Sequence, residues 1–374
     1  MMQLRGVRLH WLKLPLVRPF TTSFKVQTER EALLVEVAAE FDDGRTVTGW
    51  GECVALPDPS YSPEYADSCA VVIERFLLPR LRGDDVIAET VGHRLHRVKG
   101  NRMAKAALEM AVLDAQLRHA GRSFASYAGA VVDRVPSGVS VGIHDSVGEL
   151  LDAVSGYLAE GYVRIKLKIQ PGFDIEPVRA VRKLIGDDVP LQVDANAAYT
   201  LVDAPHLRRL DEFGLLLIEQ PLGDEDMRQH AALARQMATP MCLDESIDSA
   251  EAAADAIALG AAAVINIKAG RVGGYLEAIR IHDIARANGI AVWCGGMLET
   301  GVGRAANAAL AALPGFTLPG DISASDRFYR EDITEPFVID DGHIAVPQTP
   351  GISAAPDPDR LAACRVAVRD LPLG

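Results

Sequence analysis

From about residue 135 the chain alternates short apolar runs with longer stretches whose apolar residues recur three and four apart. Leu191-Gln192-Val193, Leu215-Leu216-Leu217-Ile218, Met241-Cys242-Leu243 and Val264-Ile265-Asn266-Ile267 each have the length of a strand. Ser146-Val147-Gly148-Glu149 reads as a capping box. It opens a helix with Leu150, Leu151, Val154 and Leu158 on one face, which stops before Gly161. Further helices are predicted over 175–185, 201–212, 227–237, 250–259, 275–287 and 302–313. Counting the run after Arg134 as the first strand, Lys168 ends the second and Lys268 the sixth. Ile290-Ala291-Val292-Trp293-Cys294 is the seventh and Phe316-Thr317-Leu318 the eighth. The fold class is therefore α/β, a modified (β/α) TIM-type barrel, closed or nearly closed.

The region before it has a different grammar, with strands first and helices after. Ala32-Leu33-Leu34-Val35-Glu36-Val37 and Val47-Thr48-Gly49-Trp50-Gly51-Glu52 flank the turn dipeptide Asp43-Gly44, which predicts a hairpin. A helix over 102–120 stops at Gly121. These signals make an α+β domain. Near the C-terminus, Phe337-Val338-Ile339 and His343-Ile344-Ala345-Val346 flank Asp341-Gly342, a second expected hairpin that returns to the N-terminal domain.

Composition narrows the partners. A length of 374 residues with 49% apolar content suits two domains with a large core. The net charge of −13 argues against nucleic acid and anionic membranes, which are bound by clustered Lys and Arg. Five cysteines without CxxC spacing suit reduced thiols in a cytoplasm. No signal-peptide run or stretch of 18 apolar residues is present, so a cytoplasmic protein acting on small molecules is expected.

A file of charges runs through the barrel pattern. Lys168, Asp194, Glu219, Asp244 and Lys268 follow successive apolar runs at intervals of 26, 25, 25 and 24 residues, about one strand plus one helix each. They fall together at the C-terminal strand ends, the rim where such barrels build their sites. Lys166 and Lys168 are two apart, so both face the interior while Ile165, Leu167 and Ile169 face outward. Taken singly, each has a bland reading: an Asp capping a helix, a Lys solvated at the rim. Together, lysines at the interior need anions, and three carboxylates without His or Cys describe a hard-cation site for Mg²⁺ or Mn²⁺. Ion pairing alone is the competing account. A hard ion binding a substrate carboxylate would stabilise the enediolate formed when the α-proton leaves. A neutral lysine would take that proton, its pKa lowered by Lys166, the ion and partial burial.

These residues resemble the enolase superfamily, in its muconate-lactonising-enzyme subgroup. Lys166-Leu167-Lys168 resembles the KxK of the second strand, Asp194, Glu219 and Asp244 the three metal ligands, and Lys268 the sixth-strand lysine. Three further stretches resemble the o-succinylbenzoate synthase and N-succinylamino acid (N-acylamino acid) racemase subfamily. They are Asn101-Arg102-Met103-Ala104, Gly295-Gly296-Met297-Leu298-Glu299-Thr300-Gly301 and Leu318-Pro319-Gly320-Asp321-Ile322-Ser323-Ala324-Ser325. The resemblance implies a capping domain over 1–130, a catalytic barrel over 131–325 and a segment over 326–374 that returns to the cap. It also implies a Mg²⁺-dependent (or Mn²⁺-dependent) lyase of menaquinone synthesis, an isomerase, or both, acting on a small carboxylate, and a homo-oligomer. Lys168, Lys268 and Lys166 are its expected catalytic residues. Expected substrate contacts are Ser140, Asn196, Arg271, Gly295, Met297, Leu298, Asp321, Phe24 and Tyr61. Of these, Asn196 equally suits a turn cap and Arg271 a surface ion pair.

Neighbouring activities leave traces to compare. Mandelate-racemase-like members carry a His at the seventh-strand end, where this chain has Trp293-Cys294-Gly295. Dipeptide epimerases typically carry Asp-x-Asp after the eighth strand, where this chain has Asp321-Ile322-Ser323. Muconate cycloisomerase stays open on the ligands alone. A different class, a barrel in which Lys168 or Lys268 forms a Schiff base, also fits the lysines. A non-catalytic binding barrel gives no reason for lysines on both sides of a metal.

Overall fold

The computed structural model describes residues 2–23, 25–83 and 86–373. Three antiparallel strands, β1 (Met2–Thr21), β2 (Val26–Phe41) and β3 (Thr46–Cys53), form the expected hairpin and extend it by one strand. Val7, Leu9, Leu12 and Leu14 of β1 are buried. The helix Arg102–His119 lies directly on β3. A Cβ at Gly49 or Gly51 would stand 2.1 Å from the Ala111 or Ala107 carbonyl, so glycines opposite alanines set this approach.

The chain then enters the barrel. A short strand, β4 (Arg134–Pro136), precedes β5 (Gly138–Val141), β6 (Arg164–Lys168), β7 (Leu191–Asp194), β8 (Ile218–Glu219), β9 (Met241–Leu243), β10 (Val264–Ile267) and β11 (Ala291–Cys294). The seven strands β5 to β11 are parallel and neighbour one another in chain order. Register puts Lys168 beside Asp194, and Asp194 beside Glu219. Between strands run the predicted helices, among them Val147–Ala159, whose first turn is capped by the Ser146 hydroxyl accepting from Glu149 N at 3.2 Å. No helix among the described residues is long and apolar enough to cross a membrane.

Three expectations are corrected. The eighth strand is absent: 316–320 touches the sheet through two isolated bridges, Val292 to Phe316 and Ser137 to Gly320. Pro314-Gly315 and Pro319-Gly320 bracket it, and proline cannot donate to a ladder. The helix over 201–212 is broken into a 3-10 turn Leu201–Asp203, a short α-turn Ala204–Leu207 and a 3-10 stretch Arg208–Phe213. Pro205 at the start of its α-turn removes one of the hydrogen bonds that would join them. The C-terminal hairpin does not return to the N-terminal domain. β12 (His343–Ala345) pairs instead with β4, and it is β13 (Arg365–Pro372) that pairs with β1. The hairpin buries Ile344 and Val346 where it meets β4 and leaves Val338 exposed.

Candidate active site

Alternation along β6 decides which side chains meet. Ile165 and Leu167 are buried against the helices, and Arg164, Lys166 and Lys168 point inward, all three buried. Lys166 Nζ lies 2.7 Å from Asp321 Oδ2, 3.0 Å from Glu219 Oε2 and 3.3 Å from Asp194 Oδ2, over the Trp293 ring at 4.7 Å. Lys168 Nζ donates to Asp194 Oδ2 at 2.6 Å and to Asn196 Oδ1 at 2.7 Å. Four strands away, Lys268 Nζ donates to Asp244 Oδ2 at 2.7 Å and to the Tyr61 hydroxyl at 3.1 Å. Arg271 pairs with Asp244 Oδ1 and donates to Tyr61 at 3.0 Å.

Lys166, Lys268, Asp244 and Glu219 titrate away from their ordinary ranges. Burial works against the Lys166 ammonium, but Asp321, Glu219 and Asp194 outweigh it and raise its pKa. Burial likewise opposes the Lys268 charge, and Asp244 overcomes it. Asp244 is held well below the carboxylate range, since Arg271 and Lys268 outweigh its burial. Glu219 goes the other way: burial and then Asp194 push its carboxyl up. Three buried carboxylates are thus close enough to repel one another.

That repulsion is what a divalent cation relieves. Asp194, Glu219 and Asp244 are hard oxygen donors on adjacent strands and are at most 1% exposed, a donor set suited to Mg²⁺ or Mn²⁺. Glu245 Oε2, next in sequence to Asp244, is buried and has no hydrogen-bond partner among the described residues. Among the described residues the carboxylates are not drawn into a closed ligand cluster, because each is held by an ammonium group. The residues fit the ion, which would share these carboxylates with the lysines.

Lys166, Lys168 and Lys268 line one cleft, which Ser140, Leu298 and Asp321 also border. Of the other predicted contacts, Asn196 is turned onto Lys168 in a left-handed conformation (φ 42°) and Tyr61 covers Lys268. Arg271 is buried against Asp244, so it is no surface arginine. Asp321 is held between Arg164, at 2.8 Å, and Lys166. Gly295 is small because a Cβ there would strike the Asn266 side chain at 2.2 Å, and neither Gly295 nor Met297 borders the cleft. Phe24 lies outside the described residues.

Sequence reasoning passed over Asn266, Arg164 and Arg304. Asn266 Nδ2 donates to Glu219 Oε1 at 2.7 Å. Its signal was available: a polar residue inside Val264-Ile265-Asn266-Ile267, two before Lys268 and hence on the same face. Arg164 carries the same period from Lys166. Arg304 lies beyond the seventh strand, in the first turn of the helix Gly301–Ala311, where no strand period points to it.

Comparison with known proteins places this geometry. Residues 149–360 match the enolase C-terminal domain-like family, and residues 7–129 match the mandelate racemase / muconate lactonizing enzyme N-terminal domain. An N-succinylamino acid racemase of an Amycolatopsis species is 62% identical over 96% of this chain and 97% of its own. An o-succinylbenzoate synthase of Geobacillus stearothermophilus is 47% identical over 92% of each chain. A crystal structure of an enolase-superfamily member from Listeria innocua superposes over 100% of both chains with TM-score 0.95 at 40% identity.

Proposed function

The chain belongs to the enolase superfamily, and from that premise we propose that it abstracts the proton α to a carboxylate, as an o-succinylbenzoate synthase, an N-succinylamino acid racemase or both. The observation that carries this reading is the presence of Lys168 and Lys268, four strands apart, on one cleft beside three buried carboxylates. The names of its relatives support the substrate class.

Asp194, Glu219 and Asp244 would hold the metal ion. When bound, it supplies positive charge to the substrate carboxylate as the α-carbon loses its proton. The chain's own residues do the rest. One lysine, in its neutral form, takes the α-proton from its face of the substrate. In racemisation the opposite lysine, as ammonium, delivers a proton to the other face, so the two exchange roles with the enantiomer. In dehydration one lysine takes the α-proton and returns it to the departing hydroxyl, which leaves as water, while the opposite lysine stays cationic and stabilises the developing charge. Asn196 and Asp194 orient Lys168, and Tyr61 and Asp244 orient Lys268. Lys166, raised in pKa by Asp321, remains a fixed positive charge beside them.

The test is deuterium uptake. Each enantiomer of an N-succinyl amino acid is incubated with enzyme and Mg²⁺ in D₂O, and a parallel assay follows formation of o-succinylbenzoate. Absence of α-exchange and of dehydration together would reject the reading. Reductive trapping of the substrate on Lys168 or Lys268 with borohydride would favour the Schiff-base alternative instead.

A further inference from the structure

Two guanidinium groups beside the cleft lack anionic partners. Arg304 is buried, borders the cleft and spends its terminal nitrogens on two backbone carbonyls, Ser323 O at 2.5 Å and Glu299 O at 2.8 Å. Arg327 donates to Ser140 O at 3.1 Å and stacks on Phe20, Phe328 and Tyr157. Neither has a carboxylate within ion-pair distance among the described residues, in contrast to Arg164, which pairs with Asp321, and Arg271, which pairs with Asp244. Phe328 is between them, its ring 5.9 Å from the Arg304 guanidinium and 4.9 Å from that of Arg327.

Unused donors gather at the same end. Arg304 Nε, Arg327 Nε and Ser140 Oγ are all buried without a hydrogen-bond partner among the described residues. A buried donor left unbonded costs the full desolvation of that group, and a buried charge without a counter-ion costs more. Arg304 and Ser140 border the cleft, and Arg327 stacks on Phe20 and Phe328, which border it too, so the three atoms describe a place that an anion would complete. The carboxylate-rich end cannot serve that purpose, because its own acids already engage every lysine there.

We propose that Arg304 and Arg327, with the Ser140 hydroxyl, form a subsite for a second carboxylate, carried on the acyl tail of the substrate. The inference rests on the function proposed above and adds the residues that distinguish a dicarboxylate from a neutral acyl substrate. A guanidinium suits this task, since its planar fork matches a carboxylate and stays charged at any physiological pH.

The test compares N-succinyl-L-phenylalanine with its neutral succinamyl amide, which differs in the distal carboxylate alone. In the wild type kcat/KM favours the acid. In Arg327→Met and in Arg304→Met that preference shrinks about 30-fold, mainly through KM, as expected for one charge-assisted hydrogen bond. Arg304 also ties two loops, so should its variant not fold, Arg327→Met decides. Equal losses on acid and amide would make both arginines struts and overturn the subsite, as would an unaltered preference in a folded variant. Should the wild type turn over neither compound, the proposed function falls, and calorimetric binding of acid and amide to wild type and variants judges the subsite separately.

Discussion

Lys268 Nζ stands 2.7 Å from Asp244 Oδ2, so the lysine proposed as a base and the carboxylate proposed as a metal ligand are bonded to each other. Lys168 and Asp194 repeat the arrangement at 2.6 Å. Ligand and base on both sides of the cleft are therefore coupled, so a divalent ion held by Asp194 and Asp244 would change the charge that both lysines feel.

Metal removal should be decisive for that reason. EDTA is expected to abolish α-proton exchange, and Mg²⁺ or Mn²⁺ to restore it. Calorimetry should find one Mn²⁺ per chain. Outer partners of a metal ligand alone change affinity by about 10 to 100-fold, so Asp244→Asn should weaken Mn²⁺ by at least about 100-fold. Full turnover in stripped enzyme, or unaltered Mn²⁺ affinity in Asp244→Asn, would contradict the ligand assignment.

Opposed bases predict a symmetric loss. Lys168→Ala and Lys268→Ala should each lower racemisation by at least about 10²-fold, because each enantiomer presents its proton to a different lysine. Stopped assays on both enantiomers of an N-succinyl amino acid measure this. A variant that racemises at the wild-type rate removes its lysine from the mechanism.

How much of this was legible in the sequence depends on the kind of contact. Lys168, Asp194, Glu219, Asp244 and Lys268 were readable because a parallel strand-helix unit repeats at nearly fixed length and fixes which end of each strand a residue occupies. The hairpin at Asp43-Gly44 and the helix Arg102–His119 were readable from local turn and capping chemistry. The partner choices were not. Nothing local says that Asp321 should sit between Arg164 and Lys166, more than 150 residues earlier, or that β13 rather than the 343–346 hairpin should seek β1. The missing eighth strand was legible in hindsight from the Pro-Gly pairs at 314–315 and 319–320, whose breaking effect outweighs the short run Phe316-Thr317-Leu318.

Arg271 offers a test of how the two reactions diverge. It pairs with Asp244 and donates to Tyr61, so its permanent charge sits beside Lys268 and opposes the ammonium form of that lysine. Racemisation needs Lys268 as a neutral base for one enantiomer, whereas dehydration can leave it cationic. Arg271→Met should therefore slow exchange on the Lys268 side about 10-fold or more beyond any loss in dehydration, the equivalent of about one pKa unit. Deuterium uptake by each enantiomer beside the dehydration rate measures it, and equal losses in all three would refute the idea.

The joint between cap and barrel should give the protein a pH-dependent stability. Glu109, buried in the helix Arg102–His119, accepts from Leu276 N at 3.0 Å at the start of the helix Tyr275–Ala287. Gly274 makes the approach feasible: its φ of 140° excludes most side chains, and a Cβ there would lie 2.1 Å from Glu109 Oε1. Burial pushes the Glu109 carboxyl up to about 8. Between the unfolded value, about 4.3, and about 8, the folded state holds a proton that the unfolded state has lost. Stability contributed by this group is thus complete at low pH and falls as pH rises through that window, by up to about 1.4 kcal/mol per pH unit. Glu109→Gln keeps an oxygen to accept from Leu276 and removes the titration. Denaturant unfolding of both proteins from pH 5 to pH 9 should show the variant gaining on the wild type up to about pH 8 and no further. A constant difference across that range would mean that Glu109 titrates alike in the folded and unfolded chains.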